Sequence, residues 1–396
     1  MKKFVSVALC VLMLATTLCF GVSAEKDFGK LQFNDDGNFK IMQVADLQDD
    51  MQLNGAVKAF LEEAVNQEKP DLVVLTGDNI SGGSCRTDIS KAWDTRRCEK
   101  AIDQFMSIFE EYEVPVAMVF GNHDDENKLS KEELFDIYEK YDCFIGEDEG
   151  EALYGCGTYN LPIYSSEDAD KMMYNLWMFD SNTYDEELGG YDYVHDDQVE
   201  WYVNKSNELK AANGGVAVPS MAFQHIIVKE IVGLIDSSTE YIEGSELYQD
   251  GRYYVFKPGV LKAGHFKEYP CPATRDSKQL PAIQAQGDVV AMFFGHDHNN
   301  TFEVDYNGID LVATPGMTFH SYGNEDRGFR IINLNEEDTS TYETHLIHFQ
   351  DYFGDSKMAM ANYNMNAEEL TLWERIKAGL LFVITFPIKV FFGYAF

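Results

Sequence analysis

Basic residues are scarce in this chain of 396 residues, with 31 lysines and arginines against 67 aspartates and glutamates. The formal net charge is therefore −36, and a surface this negative repels phosphate backbones, so we expect no nucleic-acid polymer as a partner. The sequence has no Cys-x-x-Cys pair, which argues against a thiolate zinc site or a thioredoxin-type redox site. It also lacks internal repeats. With 45% hydrophobic residues, the chain can bury one large core or two ordinary ones.

The N-terminal segment, residues 1–24, has the pattern of a secretory signal peptide. A short basic start precedes an apolar stretch over about 4–20, and Val-Ser-Ala at 22–24 supplies small residues for cleavage. An uncleaved membrane anchor is the alternative. We expect an exported protein, secreted or held at the cell surface, in which residues 25–37 lead into the folded domain.

The C-terminal segment, residues 370–396, is apolar. From 378 to 396 the only charge is Lys389, and as a helix this stretch would be about 28 Å long, close to the apolar thickness of a bilayer. A narrow polar stripe would suit a helix lying in the membrane interface. The alternative is a tail packed on its own domain, joined by a polar linker at 351–369.

Export would permit disulfides. Cys85–Cys98 and Cys143–Cys156 are spaced to close short loops and would leave Cys271 free. Scattered buried thiols are the alternative.

The region between the two ends alternates apolar strands with helical patterns. We predict strands at 39–45, 71–76 and 114–120, with helices at about 56–66 and 92–111. Strands that are apolar on both faces indicate a buried sheet of the βαβ type, and ligands bind at the carboxyl edge of such sheets. The second half is richer in strands. Its aperiodic segment, 236–288, is interpreted as a lid-like insertion.

Polar side chains of metal-ligand type follow these strands. In chain order they are Asp46, Gln48, Asp78, Asn122, His123, His225, His296 and His298. Carboxylate, amide and imidazole donors together suit divalent metals such as Zn, Mn or Fe. Two such cations, about 3.5–4 Å apart, can clamp the oxygens of a phosphate.

Three of the strand-end blocks carry a family resemblance. They are Gly-Asp-Asn at 77–79, Gly-Asn-His-Asp at 121–124 and Gly-His-Asp-His at 295–298. Their order, with His225 between the last two, resembles the calcineurin-like metallophosphoesterases, and is most similar to the bacterial and fungal members related to purple acid phosphatases. The resemblance implies an α/β fold over residues 38–350: a four-layer β-sandwich of two mixed sheets, flanked by α-helices.

The resemblance also implies a role for each matching residue and a pair of divalent ions (Mn, Fe, Zn or Mg). Asp46 and His298 would bind the first ion, Asp78 would bridge both, and the second would be held by Asn122, His225 and His296. His123, oriented by Asp124, would contact the phosphate or the leaving oxygen, and Asn122 would also contact substrate. Hydrolysis would proceed by attack of a metal-bound hydroxide.

Gln48 departs from the Asp-x-His pattern that most of the family has in its first block. The tyrosine that purple acid phosphatases place three residues after the bridging aspartate is also missing, since Ser81 stands there. Gln48 could bind the first metal through its carboxamide oxygen, which would favour Mn, Mg or Fe over Zn. The alternative is a group that contacts a ligand and not the metal.

The expected activity is hydrolysis of phosphomonoesters by a monomer, although the oligomeric state is left open. Arg275, in the insertion, is a candidate phosphate contact. A phosphodiesterase acting on a nucleotide or a lipid headgroup is the first alternative. A non-catalytic surface binding protein with the same fold is the second, and belongs to another class.

Overall fold

The computed structural model describes residue 28, residues 30–82 and 90–354, and the isolated positions 372, 373, 376 and 380. The signal peptide predicted at 1–24, Cys85, and nearly all of the predicted linker and tail lie outside the described residues. In the described part the α-helices are α1 (Gly55–Glu68), α2 (Lys91–Glu111), α3 (Lys131–Tyr138), α4 (Asp196–Ala212), α5 (Gln279–Gln286) and α6 (Phe349–Phe353), with short 3-10 helices at Gly150–Ala152 and Lys229–Leu234.

The described strands are numbered in chain order. They are β1 (Leu31–Gln32), β2 (Asn38–Val44), β3 (Leu72–Thr76), β4 (Val116–Val119), β5 (Tyr159–Tyr164), β6 (Met172–Met178), β7 (Ser220–Phe223), β8 (Ile235–Ser238), β9 (Leu247–Gln249), β10 (Arg252–Phe256), β11 (Leu261–Ala263), β12 (Val289–Phe294), β13 (Glu303–Tyr306), β14 (Ile309–Ala313), β15 (Gly328–Asn335) and β16 (Glu343–His348).

Two large mixed sheets form the centre of the described region. The first has the order β16-β15-β2-β3-β4, in which β2, β3 and β4 are parallel and β15 is antiparallel to both of its neighbours. The second has the order β1-β5-β6-β7-β12-β14-β13-β11, with β6, β7, β12 and β14 parallel. The expected pair of mixed sheets is confirmed.

Alternation of apolar side chains along the strands builds the layers. In β3, Leu72 and Val74 point into the core between the two sheets, whereas Val73 and Leu75 point into a second core under α1, α2 and α3. On the far face of the larger sheet, Trp177 packs in a third core with residues of α4 and α5. Because successive residues of a strand face opposite ways, one apolar strand serves two cores. The four-layer arrangement is confirmed.

Cys143 and Cys156 do not pair as their spacing suggested, whereas the Cys85–Cys98 pairing involves a residue outside those that the structure describes. Cys143 and Cys156 are both buried and remain separate thiols, so the Cys143–Cys156 pairing is wrong. Both pack in the core beside α1, α2 and α3. Burial raises the pKa of the Cys143 thiol to about 12, which keeps it protonated and unreactive.

The predicted insertion at 236–288 has regular structure. It contributes most of a small antiparallel sheet, β8-β10-β9, and its strand β11 extends the edge of the larger sheet by pairing with β13. Its helix α5 buries Leu280 and Ile283 in the third core. Its function as a lid stays a prediction.

Helix α6 closes the described domain. The Phe60 ring of α1 makes edge-on contacts with the rings of Phe349, Tyr352 and Phe353, whose centroids are 5.5, 5.8 and 6.3 Å away. The first residues of the predicted linker, 351–353, therefore belong to this helix. Within the described residues, none of the helices has both the length and the apolar character needed to cross a membrane.

Candidate metal centre

The loops after β2, β3, β4, β7 and β12 meet where the carboxyl edges of the two sheets come together. Left-handed backbone marks four residues of these loops: φ is 50° at Asp46, 41° at Gln48, 48° at Asp78 and 75° at His296. For residues other than glycine such conformations cost about 1–3 kcal/mol each and cluster at functional sites. They are held here by cross-links between the loops, for example from the Asp46 N–H to the Gly77 carbonyl at 3.1 Å.

Two glycines of the predicted motifs are required by close packing around this edge. A Cβ at Gly121 would lie 2.2 Å from Asp78 Oδ1, and one at Gly77 would lie 2.6 Å from His225 Nδ1. Gly77 also has a φ of +86°. The glycines thus let the backbone approach the side chains that could hold a metal.

His225 lies at the centre of one group of donors. Its Nδ1 is 2.9 Å from the Thr76 carbonyl, so Nδ1–H donates there and Nε2 is left as a lone-pair donor. That Nε2 is 3.2 Å from each of Asp78 Oδ2, Asn122 Oδ1 and His296 Nδ1. Donor atoms about 2.1 Å from a shared cation lie about 3.0–3.4 Å apart, so this group fits the second metal expected from the sequence.

Asp46 and His298 form the other group. His298 Nδ1 is 2.8 Å from the Tyr322 carbonyl, and Nε2 is 3.4 Å from Asp46 Oδ1. The other carboxylate oxygen of Asp46 accepts the His296 N–H at 3.0 Å. This pair fits the first metal. Backbone acceptors hold the rings of both His225 and His298, a common support for metal-binding histidines.

Several buried side-chain atoms in the described part of this region have no hydrogen-bond partner. They include Asp46 Oδ1, Gln48 Oε1 and His296 Nε2. Buried polar atoms without partners are rare and each requires an explanation. A cation beside Asp46 Oδ1 would satisfy that atom, and the mixture of oxygen and imidazole donors in the two groups suits a divalent ion. His296 faces its group through Nδ1, so its Nε2 is not explained by the same ion. The residues present therefore fit two divalent metals, while Gln48 is buried in the loop after β2 and its role as a ligand stays a prediction.

The Asp78 and His225 side chains attract each other, so a proton on His225 Nε2 would compete with a cation for that atom. Burial by itself would raise the pKa of Asp78, but the charge and hydrogen bond of His225 hold it well below its usual range. Burial would lower the pKa of His225, and Asp78 instead raises it to about 10. Burial and the charge of His225 keep the pKa of His296 well below its usual value, so His296 is a neutral donor.

His123 lies at the rim and does not join either donor group. Its backbone N–H donates to Asp78 Oδ1 at 2.8 Å, and its ring Nδ1 is 3.1 Å from Glu126 Oε2. The side chain is 38% exposed, unlike the buried His225. This placement suits contact with substrate, as the sequence predicted.

Asp124 has a structural task in this site. Its carboxylate accepts backbone N–H groups of Asn79 at 2.9 Å, Ile80 at 3.0 Å and Gly121 at 2.7 Å, and so ties the loops after β3 and β4 together. Glu126 contacts the His123 ring in this structure, and the orienting role expected of Asp124 stays a prediction. The acidic residue three positions after His123 is the sequence feature that could have predicted this contact. Burial, reinforced by the charge of Asp78, raises the pKa of Asp124 to about 7.

Arg275 is engaged by two carboxylates. It pairs with Asp185, and its Nη2 is 2.7 Å from Glu187 Oε2. The expected phosphate contact gains no support, because these acids occupy the guanidinium.

Three tyrosines contact the centre, and the sequence did not single out their roles. The Asn122 Nδ2 group donates to the Tyr184 hydroxyl at 3.0 Å, which turns Oδ1 of the carboxamide toward His225. The Tyr191 ring meets His296 edge-on at 4.3 Å, and the Tyr322 ring stacks on His298 at 4.2 Å. Tyrosines are common in this chain, so composition alone carried no signal.

Comparison with known proteins assigns the family. A family model described as calcineurin-like phosphoesterase matches residues 39–300. The chain belongs to this family. It is thereby a metal-dependent phosphoric ester hydrolase of the dinuclear-metal type, and the resemblance drawn from the strand-end motifs is confirmed.

The similar proteins are named as phosphatases. Probable inactive purple acid phosphatase 14 of Arabidopsis thaliana is 29% identical, over 81% of this chain and 80% of the relative. Phosphatase DCR2 of Saccharomyces cerevisiae is 30% identical, over 79% of this chain and 55% of the relative. A solved dimetal phosphatase from Danio rerio is 16% identical with a TM-score of 0.47, covering 77% of this chain and 98% of that one.

Proposed function

We propose that this chain is an exported phosphatase that hydrolyses phosphomonoesters at a centre built for two cations. The observation that carries the proposal is that His225 Nε2 lies 3.2 Å from each of Asp78 Oδ2, Asn122 Oδ1 and His296 Nδ1, with the buried Asp46–His298 pair as a second group of donors. When bound, the cations supply Lewis acidity and lower the pKa of a bound water.

The residues of the chain divide the remaining work. Asn122 is buried and fixed by Tyr184, and the next residue, His123, lies at the rim, so that both can contact the phosphoryl oxygens. Glu126 holds Nδ1 of His123, which leaves Nε2 to carry a proton to the leaving oxygen. The buried histidines would bind the metals, and the exposed His123 would contact the substrate.

Preference for monoesters is supported by the names of two relatives, both of which contain the word phosphatase, with "probable inactive" before it in the name of the plant protein. The test compares p-nitrophenyl phosphate with bis-p-nitrophenyl phosphate in the presence of Mn, Zn, Mg or Fe. We expect the higher kcat/KM for the monoester. A higher value for the diester would transfer the proposal to phosphodiester hydrolysis of a nucleotide or a lipid headgroup.

A non-catalytic binding protein is the second candidate, favoured by the word "inactive" in the names of relatives from Arabidopsis thaliana. Against it, this chain keeps a complete set of donors apart from the glutamine at 48. If neither ester is cleaved with any of the four metals, and Asp78→Asn alters nothing, the binding protein replaces the enzyme.

Export and membrane contact are proposed from the ends of the sequence. The pattern at 1–24 supports secretion, and the apolar segment 370–396 supports contact with a membrane surface. Deleting 370–396 is expected to release the protein from liposomes in a flotation assay. Unchanged partitioning would remove the membrane proposal and leave the catalytic one intact.

A further inference from the structure

A cavity of about 300 Å³ opens beside the metal centre. Its lining residues are Tyr154, Tyr184, Asp185, Glu186, Glu187, Asp192, Tyr193, His195 and Arg275. One wall is an aromatic stack in which the His195 ring lies between Tyr154, at 3.8 Å, and Tyr193, at 4.3 Å. The volume suits a small organic group.

Tyr184 joins this cavity to the centre. The same side chain lines the cavity and accepts a hydrogen bond from Asn122 Nδ2 at 3.0 Å. Because Tyr184 touches both the cavity and Asn122, a phosphoryl group held by Asn122 and His123 would lie near the cavity. We therefore take the cavity as the space for the leaving alcohol.

The charged side chains that line the cavity determine which leaving alcohol it would favour. Four carboxylates line the cavity, and Arg275 is the single permanent cation among these described lining residues. Arg275 is already paired with Asp185 and Glu187, so it does not offer a free charge to an anion. Glu186 adds negative charge that the guanidinium does not neutralise, whereas Asp192 contacts His195 Nε2 at 3.0 Å. Carboxylates and tyrosine rings together are the chemistry that recognises an organic ammonium group.

We propose that the substrate is a phosphomonoester whose alcohol carries an ammonium group, of the type represented by phosphocholine. This inference rests on the proposed function and names its substrate class. In the reaction, water adds its hydroxyl to phosphorus as the bond from phosphorus to the alcohol oxygen breaks. The second proton of the water goes to that oxygen by way of His123, and the ammonium alcohol leaves through the cavity.

Binding tests the cavity without requiring catalysis. Calorimetry on the full chain would compare choline with 3,3-dimethylbutanol, which has the same shape and no charge. We expect choline to bind about tenfold more tightly, because the rings and carboxylates attract only the cation. Equal affinities would overturn the inference, even if p-nitrophenyl phosphate is hydrolysed and the proposed function stands.

Catalysis gives the second test. We expect kcat/KM for phosphocholine to exceed that for 3,3-dimethylbutyl phosphate by about tenfold. Choline release from phosphatidylcholine vesicles would be phosphodiester hydrolysis and would contradict the monoester class of the substrate. A higher rate with the neutral ester would contradict the inference.

Variants locate the effect. Glu186→Gln should lower the preference for choline over the neutral alcohol about two- to fivefold, and Tyr154→Leu by a similar factor. Both side chains are exposed, so each variant is expected to fold. The matched controls are Glu167→Gln and Tyr248→Leu, exposed residues outside the cavity. If the controls lower the preference as much as the cavity variants do, the cavity is not the site.

Discussion

Exposure separates His123 from the histidines that fit the metals. The side chain of His123 is 38% exposed, whereas those of His225 and His298 are 0% and 3% exposed. A buried imidazole among carboxylates is suited to hold a cation, and an exposed one beside them can reach a substrate. The difference yields a prediction that separates metal binding from turnover.

His123→Ala should lower kcat by about 10²- to 10⁴-fold, because it removes the group that carries the proton to the leaving oxygen. The metal content should not change, since the ring is not among the donors. Steady-state kinetics and elemental analysis of the same preparation check both statements. His265→Ala, an exposed histidine paired with Glu246, is the control. Loss of metal from the His123 variant would contradict its assigned role.

Gln48 offers a test in the opposite direction, because restoring the common family residue should strengthen the site. Gln48→His should raise the affinity for the more weakly held cation about tenfold, since imidazole is a stronger donor than a carboxamide oxygen. Histidine tolerates the left-handed backbone at this position. Titration with a chelator measures the change, and Gln52→His, nearby and exposed, is the control. Unchanged affinity would show that Gln48 does not touch the metal.

At the scale of elements, one buried ion pair fixes the loop that carries Tyr184. Lys131, the first residue of α3, places its Nζ 2.8 Å from both carboxylate oxygens of Asp180. That carboxylate also accepts the N–H groups of Cys156, at 3.0 Å, and Asn182, at 2.9 Å. Helix α3 thereby anchors the start of the segment that supplies both the tyrosine at Asn122 and the cavity.

Lys131→Met should lower the free energy of unfolding by about 3 kcal/mol, because it leaves the buried Asp180 carboxylate without its countercharge. Chemical denaturation measures the loss. Lys100→Met, on the exposed face of α2, should change stability by less than about 0.5 kcal/mol. Equal effects of the two substitutions would contradict the role of the pair.

The same pair predicts the pH dependence of stability. Burial alone would lower the pKa of Lys131, but Asp180 outweighs it and holds the pKa above the usual 10.5. A raised pKa means that the folded state binds the proton more tightly than the unfolded state. The stabilisation is therefore complete below about pH 10.5 and is lost as the pH rises through the raised value.

The sequence predicted the elements whose side chains serve two cores. β3 reads as a continuous apolar run because both of its faces are buried, and its boundaries were predicted to within one residue. β5 was missed because Pro162 interrupts it, and α3 because it has only 8 residues, although Ser130 and Glu133 form a capping box that marks its start. Short or proline-containing elements depend on tertiary packing, which local patterns do not contain.

The residues of the candidate site were also predicted only in part. Donors at strand ends follow from motif order, so Asp78 and His225 were identified from the sequence. The contacts of Asp124, Glu126 and Tyr184 were not, because a loop residue's partner is set by which loops the fold brings together. Tyr184 lies 62 residues from Asn122 in the chain, and no local pattern links them.

At the scale of the whole molecule, the excess of acidic residues and the metal centre together determine the electrostatic potential that a phosphate ester encounters. A chain with a net charge of −36 repels a free phosphate ester. Two divalent cations at the junction of the two sheets would reverse the potential locally, where Asp46 and Asp78 are buried. The same acidity, concentrated around Glu186 in the adjoining cavity, favours an ester whose alcohol is cationic.

Elemental analysis of the purified chain tests the central claim most directly. We expect about two divalent cations per chain, and a loss of both in Asp78→Asn, since this carboxylate is the ligand expected to bridge the two ions. A wild-type protein that binds no divalent cation, or an Asp78→Asn variant that retains the full complement, would contradict it.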